Sequence, residues 1–356
     1  MIFIVVFFKI NIYYNKGGVI ILLSRKNIYI ATAVLIFILI IISFTGQEDG
    51  LVIYSGRSEN LIGPVFEEFT EKTGIAIEAR YGGTAELAAT ILEEGPNSPA
   101  AIFFAQDAGA LGALAREDRL QQLPAEFFAD VDRRLSSPEN LWLGISGRAR
   151  VIAYNTDYVD QDDLPEDIWG FTDPGWEGRI GWAPTNGSFQ AFVTALRVIE
   201  GDEKAAEWLT GIMENNPSDY PNNTTTVDAV GRGEVQVGFV NHYYLFRFLA
   251  EQGEDFPVRN HYTTGDAGSM INIAGIGVLD TTEKDDQVNQ FIEFLLSPDI
   301  QRYFLEVNNE YPVVEGITTD NPLLLPLDEI DAPDLDLSNL EDLEGTLDLL
   351  REVGAL

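Results

Sequence analysis

The chain has 356 residues, 46% of them apolar, which is enough for more than one buried core. Its 57 acidic residues against 22 basic ones give a formal net charge of −35, the wrong sign for nucleic acid or an anionic membrane surface as the main partner. With no cysteine and two histidines, disulfides, thiolate metal centres, a cysteine nucleophile and any three-histidine site are excluded.

Residues 1–44 are a different kind of sequence: they hold Lys9, Lys16, Arg25 and Lys26 and no acid. Arg25 and Lys26 precede the apolar run Ile28 to Phe44. A positive flank before an apolar run predicts a hydrophobic helix that serves as an export signal or an uncleaved signal anchor over residues 1–46. No small-x-small cleavage pattern stands near Ser43 to Gly46, which favours the anchor. Because lysine and arginine stay on the inner side, the body of the chain is expected on the outer face of the cytoplasmic membrane or in the periplasm. A further apolar stretch, Met1 to Phe8, fits a start codon placed too far upstream over residues 1–24, with Val19 one candidate start.

From residue 50 onward short apolar runs alternate with helical periods. Leu51 to Tyr54 predicts a strand, Ser55-Gly56 a turn, and Leu61, Ile62, Val65, Phe66 and Phe69 a helix closed by Gly74. Arg57 and Ser58 stand just past the first strand as a candidate anion-binding turn, with Ser58 also able to cap the helix, and Glu59 follows. Ile75 to Ile77 predicts the next strand. Gly82-Gly83-Thr84 predicts a helix through Leu92 with Thr84 as its N-cap. The strand Ala101 to Phe104 ends at Gln106-Asp107, where the carboxylate is either a metal ligand or a solvated turn acid.

Arg148 and Arg150 flank the strand Arg150 to Asn155; in so acidic a chain they are expected in salt bridges, with a role facing an anion as the alternative. Tyr154 is expected to be structural. The strand Arg179 to Trp182 leads through Asn186-Gly187-Ser188 into a helix from Phe189 to Glu200. Backbone N–H groups plus a hydroxyl at a helix start make either an anion cradle or a simple cap. Lys204 to Glu214 predicts a helix; Asn222, Asn223 and Asn241 offer neutral donors that can share one anion. Val235 to Asn241 predicts a strand, Tyr244 to Glu251 a helix, Ala274 to Leu279 a strand and Gln287 to Leu296 a helix. Asp328 to Asp348, acids interleaved with leucines, predicts a solvated helix face and turns. This alternation predicts an α/β fold with mostly parallel sheets, and its length predicts two lobes. Ligands in such folds sit past the carboxyl ends of strands, so the residues to inspect are Ser55 to Glu59, Gln106-Asp107, Thr185 to Ser188 and Asn241 to Tyr244.

The unusual feature is Asn241-His242-Tyr243-Tyr244 at a strand-to-helix switch. There two adjacent phenols can face one cleft. Phenolate is a hard anionic ligand suited to a small, highly charged cation such as ferric iron, and only a strongly polarising ion deprotonates two groups with pKa near 10 at neutral pH. The alternative is ordinary aromatic packing. No Gly-x-Gly-x-x-Gly, P-loop, Gly-x-Ser-x-Gly or His-Glu-x-x-His string appears, and no carboxylate pair stands out as general acid and base, so an enzyme is not expected.

Taken together, Val52 to Arg57, Glu67 to Gly74, Asn97 to Ala100, Ser146 to Tyr154, Trp176 to Gly181, Asn241 to Tyr244 and Asn308 to Val313 resemble the ferric-iron-binding, transferrin-like solute-binding proteins of ABC importers over about residues 50–356. The resemblance implies a two-lobed type II periplasmic-binding-protein fold, with residues 50–149 plus 270–312 in one lobe and 150–269 plus 313–356 in the other. It implies a monomer that carries ferric iron with a synergistic anion (carbonate, phosphate or a carboxylate) to an ABC permease and its ATPase, touching the membrane through its N-terminal segment. The family's tyrosine pair falls on Tyr243 and Tyr244, and its anion positions on Asn186, Gly187, Ser188, Asn223 and Asn241. The family histidine falls on Ser58, with Glu59 beside it, and the family glutamate on Gln106; Asp107, Glu59, water and the anion are left to complete the metal shell, and Arg57 and Ser58 to help hold the anion. A related receptor for a polyamine, thiamine, an oxyanion or an organic iron chelate is the alternative.

Overall fold

The structure is a computed structural model that describes residues 11–15, 18–22 and 50–356. The expected apolar helix at Ile28 to Phe44, and Met1 to Phe8, lie outside the described residues. The chain divides into two units, residues 1–50 and Leu51–Leu356. Within the first, β1 (Asn11–Asn15) and β2 (Gly18–Leu22) pair antiparallel. Among the described residues no helix is long and apolar enough to cross a membrane.

The second unit opens with β3 (Leu51–Ser55), α1 (Glu59–Thr73), β4 (Ile77–Tyr81), α2 (Thr84–Glu94), β5 (Ile102–Ala105) and α3 (Ala108–Arg116). A 14-residue strand, β6 (Trp142–Asn155), follows. Then come β7 (Ile180–Trp182), α4 (Gly187–Glu200), α5 (Asp202–Glu214), β8 (Ser218–Asp219), α6 (Asn223–Gly231), β9 (Val237–Asn241), α7 (Tyr243–Gln252) and β10 (Val258–His261). The chain returns through β11 (Ile271–Val278), α8 (Asp285–Leu295), α9 (Pro298–Glu306), β12 (Tyr311–Pro312) and α10 (Leu343–Glu352).

The strands run in the order β4-β3-β5-β11-β6-β9-β7-β8. The long β6 is the seam between two lobes. Its first part, Trp142 to Ala149, pairs with β11, while Arg150 to Tyr154 pairs with β9 and Ile152 to Asn155 with β10. The return crossing is tied to the same point, since the Arg150 N–H donates to the Met270 carbonyl at 2.9 Å. The sheet is mixed rather than mostly parallel: β3 with β4 and β5, and β7 with β8 and β9, are parallel, but every pairing of β6 is antiparallel. Strands that cross between lobes must run against the βαβ units on either side, and sequence alternation alone does not reveal them.

Helix α1 forms where expected. Ile62, Val65, Phe66 and Phe69 fall on its buried face, Phe69 meets Phe291 of α8 edge-on at 5.0 Å, and Gly74 ends it with φ 76° and its N–H on the Thr70 carbonyl. Three local expectations are corrected. The strand after Gly74 begins at Ile77, in register with Leu51. The N-cap of α2 is Gly83; Thr84 is its first residue, and its hydroxyl accepts from the Gln106 N–H instead. The acidic C-terminal stretch is more than a solvated face: Asp336, Asp342, Glu344 and Asp348 are exposed as expected, but Leu337, Leu340, Leu349 and Leu350 are buried. Its turn at Leu337–Glu341 packs backbone to backbone on Gly109 and Gly112 of α3, and α10 then reaches the other lobe, where Thr346 bonds Thr194 of α4 at 2.8 Å.

Candidate metal and anion site

Tyr243 and Tyr244 are the first two residues of α7, directly past β9. Their rings lie face to face, centroids 4.4 Å apart and 28° from parallel. Arg247, three and four residues on, spans both rings with its guanidinium carbon 5.0 and 5.1 Å from their centroids, the spacing of one helical turn. Tyr243 is buried, and Tyr244 is half-buried with one side packed against the apolar cluster around Val240 and Leu245. Burial pushes the Tyr244 phenol well above its ordinary value; the adjacent Tyr243 phenol pushes the same way, while Arg247 and Arg148 pull it down. Tyr244 is therefore protonated when alone, and a cation that binds its oxygen must displace that proton. The N-terminus of α7 favours the charge that results.

Beside the pair lies Arg150, a buried guanidinium. Its Nη1 donates to Asn241 Oδ1 at 3.1 Å, Ser188 Oγ at 3.4 Å and Asn223 Oδ1 at 3.5 Å. Its Nη2 is buried without a hydrogen-bond partner. Burial pushes its pKa down to about 9, and the charges that act back on it are those of the Tyr244 and Tyr243 phenols. The expected salt bridges are absent: among the described residues neither Arg148 nor Arg150 forms an ion pair. Arg148 instead donates to the carbonyls of Gln106 and Ile273. Two residues apart on β6, both arginines emerge at the seam, where they meet strand ends and amide side chains rather than acids.

Around Arg150 the polar side chains form one network. Asn186 caps α4, its Oδ1 accepting from the Ser188 N–H at 3.1 Å, Ser188 Oγ at 2.6 Å and Asn223 Nδ2 at 3.0 Å. Asn223 Oδ1 accepts from the Asn241 N–H at 3.0 Å. A Cβ added at Gly187 would meet open space, so the α4 N-terminus is accessible. Five expected anion positions (Asn186, Gly187, Ser188, Asn223 and Asn241) thus come together, with the N-termini of α4, α6 and α7 converging on them.

The residues of the first lobe are placed differently. Arg57 does not face this site: it is buried, with Nη1 and Nη2 each 2.9 Å from the Glu310 carboxylate, which also accepts from Ser146 Oγ. Ser58 is the exposed N-cap residue of α1 but its hydroxyl makes no cap bond, and Glu59 is exposed in the first turn. Asp107 caps α3, accepting from the Ala110 N–H at 3.3 Å; burial raises its pKa while Arg148 lowers it. Gln106 presents its carbonyl to Arg148. Among the described residues no group of three or more His, Asp or Glu surrounds a common point. His242 is structural. Its Nδ1 accepts from the Ala149 N–H at 3.1 Å, its Nε2 donates to the Asn309 carbonyl at 2.8 Å, and burial pushes its pKa down to about 4. Arg247 went unread in the sequence although its i+3/i+4 spacing from the tyrosines was visible.

Residues 65–323 match the model of a family described as bacterial extracellular solute-binding proteins. The Fe(3+)-binding periplasmic protein of Serratia marcescens is 31% identical over 87% of this chain and 91% of its own length. The major ferric iron-binding protein of Neisseria meningitidis is 31% identical over 85% and 92% respectively. Iron-bound HitA from Pseudomonas aeruginosa is 36% identical with a TM-score of 0.78, covering 86% of this chain and 99% of that one. The Trichodesmium protein IdiA (FutA), in complex with iron and citrate, is 30% identical with a TM-score of 0.76, covering 86% and 99%. These relatives are binding and transport proteins, not enzymes, and with its two α/β lobes joined along β6 the chain belongs to the ferric-iron-binding branch of the bacterial extracellular solute-binding proteins, which have the type II periplasmic-binding-protein fold.

Proposed function

We propose that this chain is the extracytoplasmic receptor of an ABC importer that binds ferric iron through Tyr243 and Tyr244 together with a small anion, and hands both lobes, closed on that cargo, to a permease and its ATPase. The observation that carries this reading is the phenol pair on the first turn of α7 next to a buried Arg150 whose Nη2 has no partner. Two phenolates leave a ferric ion one positive charge, and Arg150 adds another; a dianion such as carbonate, hydrogen phosphate or a dicarboxylate neutralises both, where unpaired charge in a partly dry cleft would be costly. Arg150 Nη2 and the Gly187 N–H at the exposed start of α4 are its donors. Asn186, Asn223 and Asn241 hold those donors in place. Closure of the lobes brings the first lobe's Asp107, Gln106 and Glu59 as the remaining oxygen donors. A ferric chelate of a polycarboxylate is the second reading, favoured by the open space at Gly187 and by the iron and citrate bound to the Trichodesmium relative.

Thermal unfolding of the full chain tests this. Ferric iron with phosphate or carbonate raises the midpoint, by about 2.7 kcal/mol of stability at a hundredfold excess over Kd, and the Tyr243→Phe, Tyr244→Phe double variant loses that rise. No rise with iron, or an equal rise in the double variant, contradicts the proposal.

A further inference from the structure

A separate cavity lies along the chain that follows β12. It has a volume of about 490 Å³, and none of the tyrosine pair, Arg150 or the asparagine network lines it. That size falls within the range of about 300–1,000 Å³ typical of small-molecule sites. Its walls are Leu305, Tyr311, Val313, Val314, Ile317 and Leu324. Four of these, Leu305, Tyr311, Val313 and Leu324, are anchored in the main core. The loop that closes it is pinned by backbone bonds of Asp132 to Val313 and Glu315 to Asp130, and by the Tyr311 hydroxyl, which donates to the Leu325 carbonyl at 2.9 Å. The cavity is therefore a held shape.

Its charged groups are of mostly one sign. Asp132 is engaged by Arg134, whose Nη2 lies 2.6 Å from it and whose charge also acts on Asp328; the exposed carboxylates of Glu315 and Asp328 stand over an apolar interior, and the three acids outnumber that single arginine. Apolar walls select an apolar body, the excess of acids over arginine selects a cationic end, and the net charge of −35 draws cations toward the whole molecule. The geometry points to a second binding site on this receptor, for a small organic ammonium ion whose hydrocarbon part enters between Tyr311, Val314 and Leu324 while its charged end stays at Glu315 and Asp328. This site does not include the tyrosine pair, although its wall residue Tyr311 stacks on His242, centroids 4.5 Å apart, next to Tyr243.

The test is calorimetric titration of the full chain with three probes sharing one hydrocarbon tail: hexylammonium, hexanol and hexanoate. Hexylammonium binds saturably, hexanol binds about 3- to 10-fold more weakly, the scale of two partly exposed ion pairs, and hexanoate does not bind. The exposed double variant Glu315→Gln, Asp328→Asn, which leaves the fold intact, brings hexylammonium down to the hexanol value. Val314→Trp fills the cavity and abolishes binding of both, with circular dichroism confirming that it folds. No saturable binding of hexylammonium, equal binding of all three probes, or unchanged binding in Val314→Trp overturns the assignment. Ferric titration of the same samples is unaffected in every case, so a failure here is separable from a failure of the iron reading.

Discussion

A buried guanidinium with no acid beside it is unusual, because neutral hydrogen bonds and the Phe192 ring under Arg150 offset only part of its desolvation. Its Nη2, buried without a hydrogen-bond partner, is where the proposed anion would bind. Replacing Arg150 with Gln removes the charge but keeps a donor, and is expected to weaken ferric binding in phosphate by about 10- to 100-fold, the scale of an outer-shell partner, measured by competition with citrate. Another buried arginine, Arg57 past β3, behaves differently. Arg57 is satisfied by Glu310, so Glu310→Gln leaves a buried charge unpaired and should destabilise the chain by about 3–5 kcal/mol in urea unfolding. Burial alone would raise the Glu310 carboxyl, but Arg57 holds it below the ordinary 4.5. Its contribution is therefore present above that ordinary value and lost as pH falls through the lowered one, and the acid limb of the stability profile should flatten in Glu310→Gln. The tyrosine pair stands out at its strand end, and the family resemblance points to the asparagine–serine positions that the fold brings together. From sequence, Arg57 is expected at the anion and Arg150 in an ion pair, whereas among the described residues Arg57 holds the ion pair and Arg150 has none, because what distinguishes them is whether an acid lies across the fold, as Glu310 does for Arg57.

At the scale of elements, the helices with a full apolar stripe were legible: α1, α4, α5 and α8 each bury one continuous face. Those carrying their stability elsewhere were not. Helix α6 reads NTTTVDAVG, a run of poor helix formers, and stands on the Asn222–Thr225 capping box and on its contact with β9. The first half of β6, Trp142 to Ala149, contains two glycines, a serine and an arginine, and is buried on both faces, so it has no period to read. The C-terminal turn was taken for a solvated face because its acids outnumber its leucines, yet it is the leucines that pack. Its close approach to α3 depends on Gly109 and Gly112, where a Cβ would strike the Leu340 and Ser338 carbonyls. Backbone cannot yield as a side chain does, so Gly112→Ala is expected to cost about 1–3 kcal/mol, read as a lower denaturation midpoint with an unchanged slope.

For the whole molecule, β6 is both the link between the lobes and the source of Arg148 and Arg150, so the chain crosses from one lobe to the other beside the proposed iron site. The phenol pair, Arg150 and the asparagine network stand together on one side of that crossing. The net charge of −35 attracts a cation, while Arg150 and the N-terminus of α4 suit its anion. The account rests on two ionised phenols gripping a trivalent metal, and visible absorption of the full chain tests this most directly. On adding ferric iron and phosphate, a tyrosinate-to-iron charge-transfer band should appear, fade as pH falls because protons compete for both oxygens, and be missing from the Tyr243→Phe, Tyr244→Phe double variant. A double variant that colours as strongly as the parent, or a parent that binds iron without colour, would contradict it.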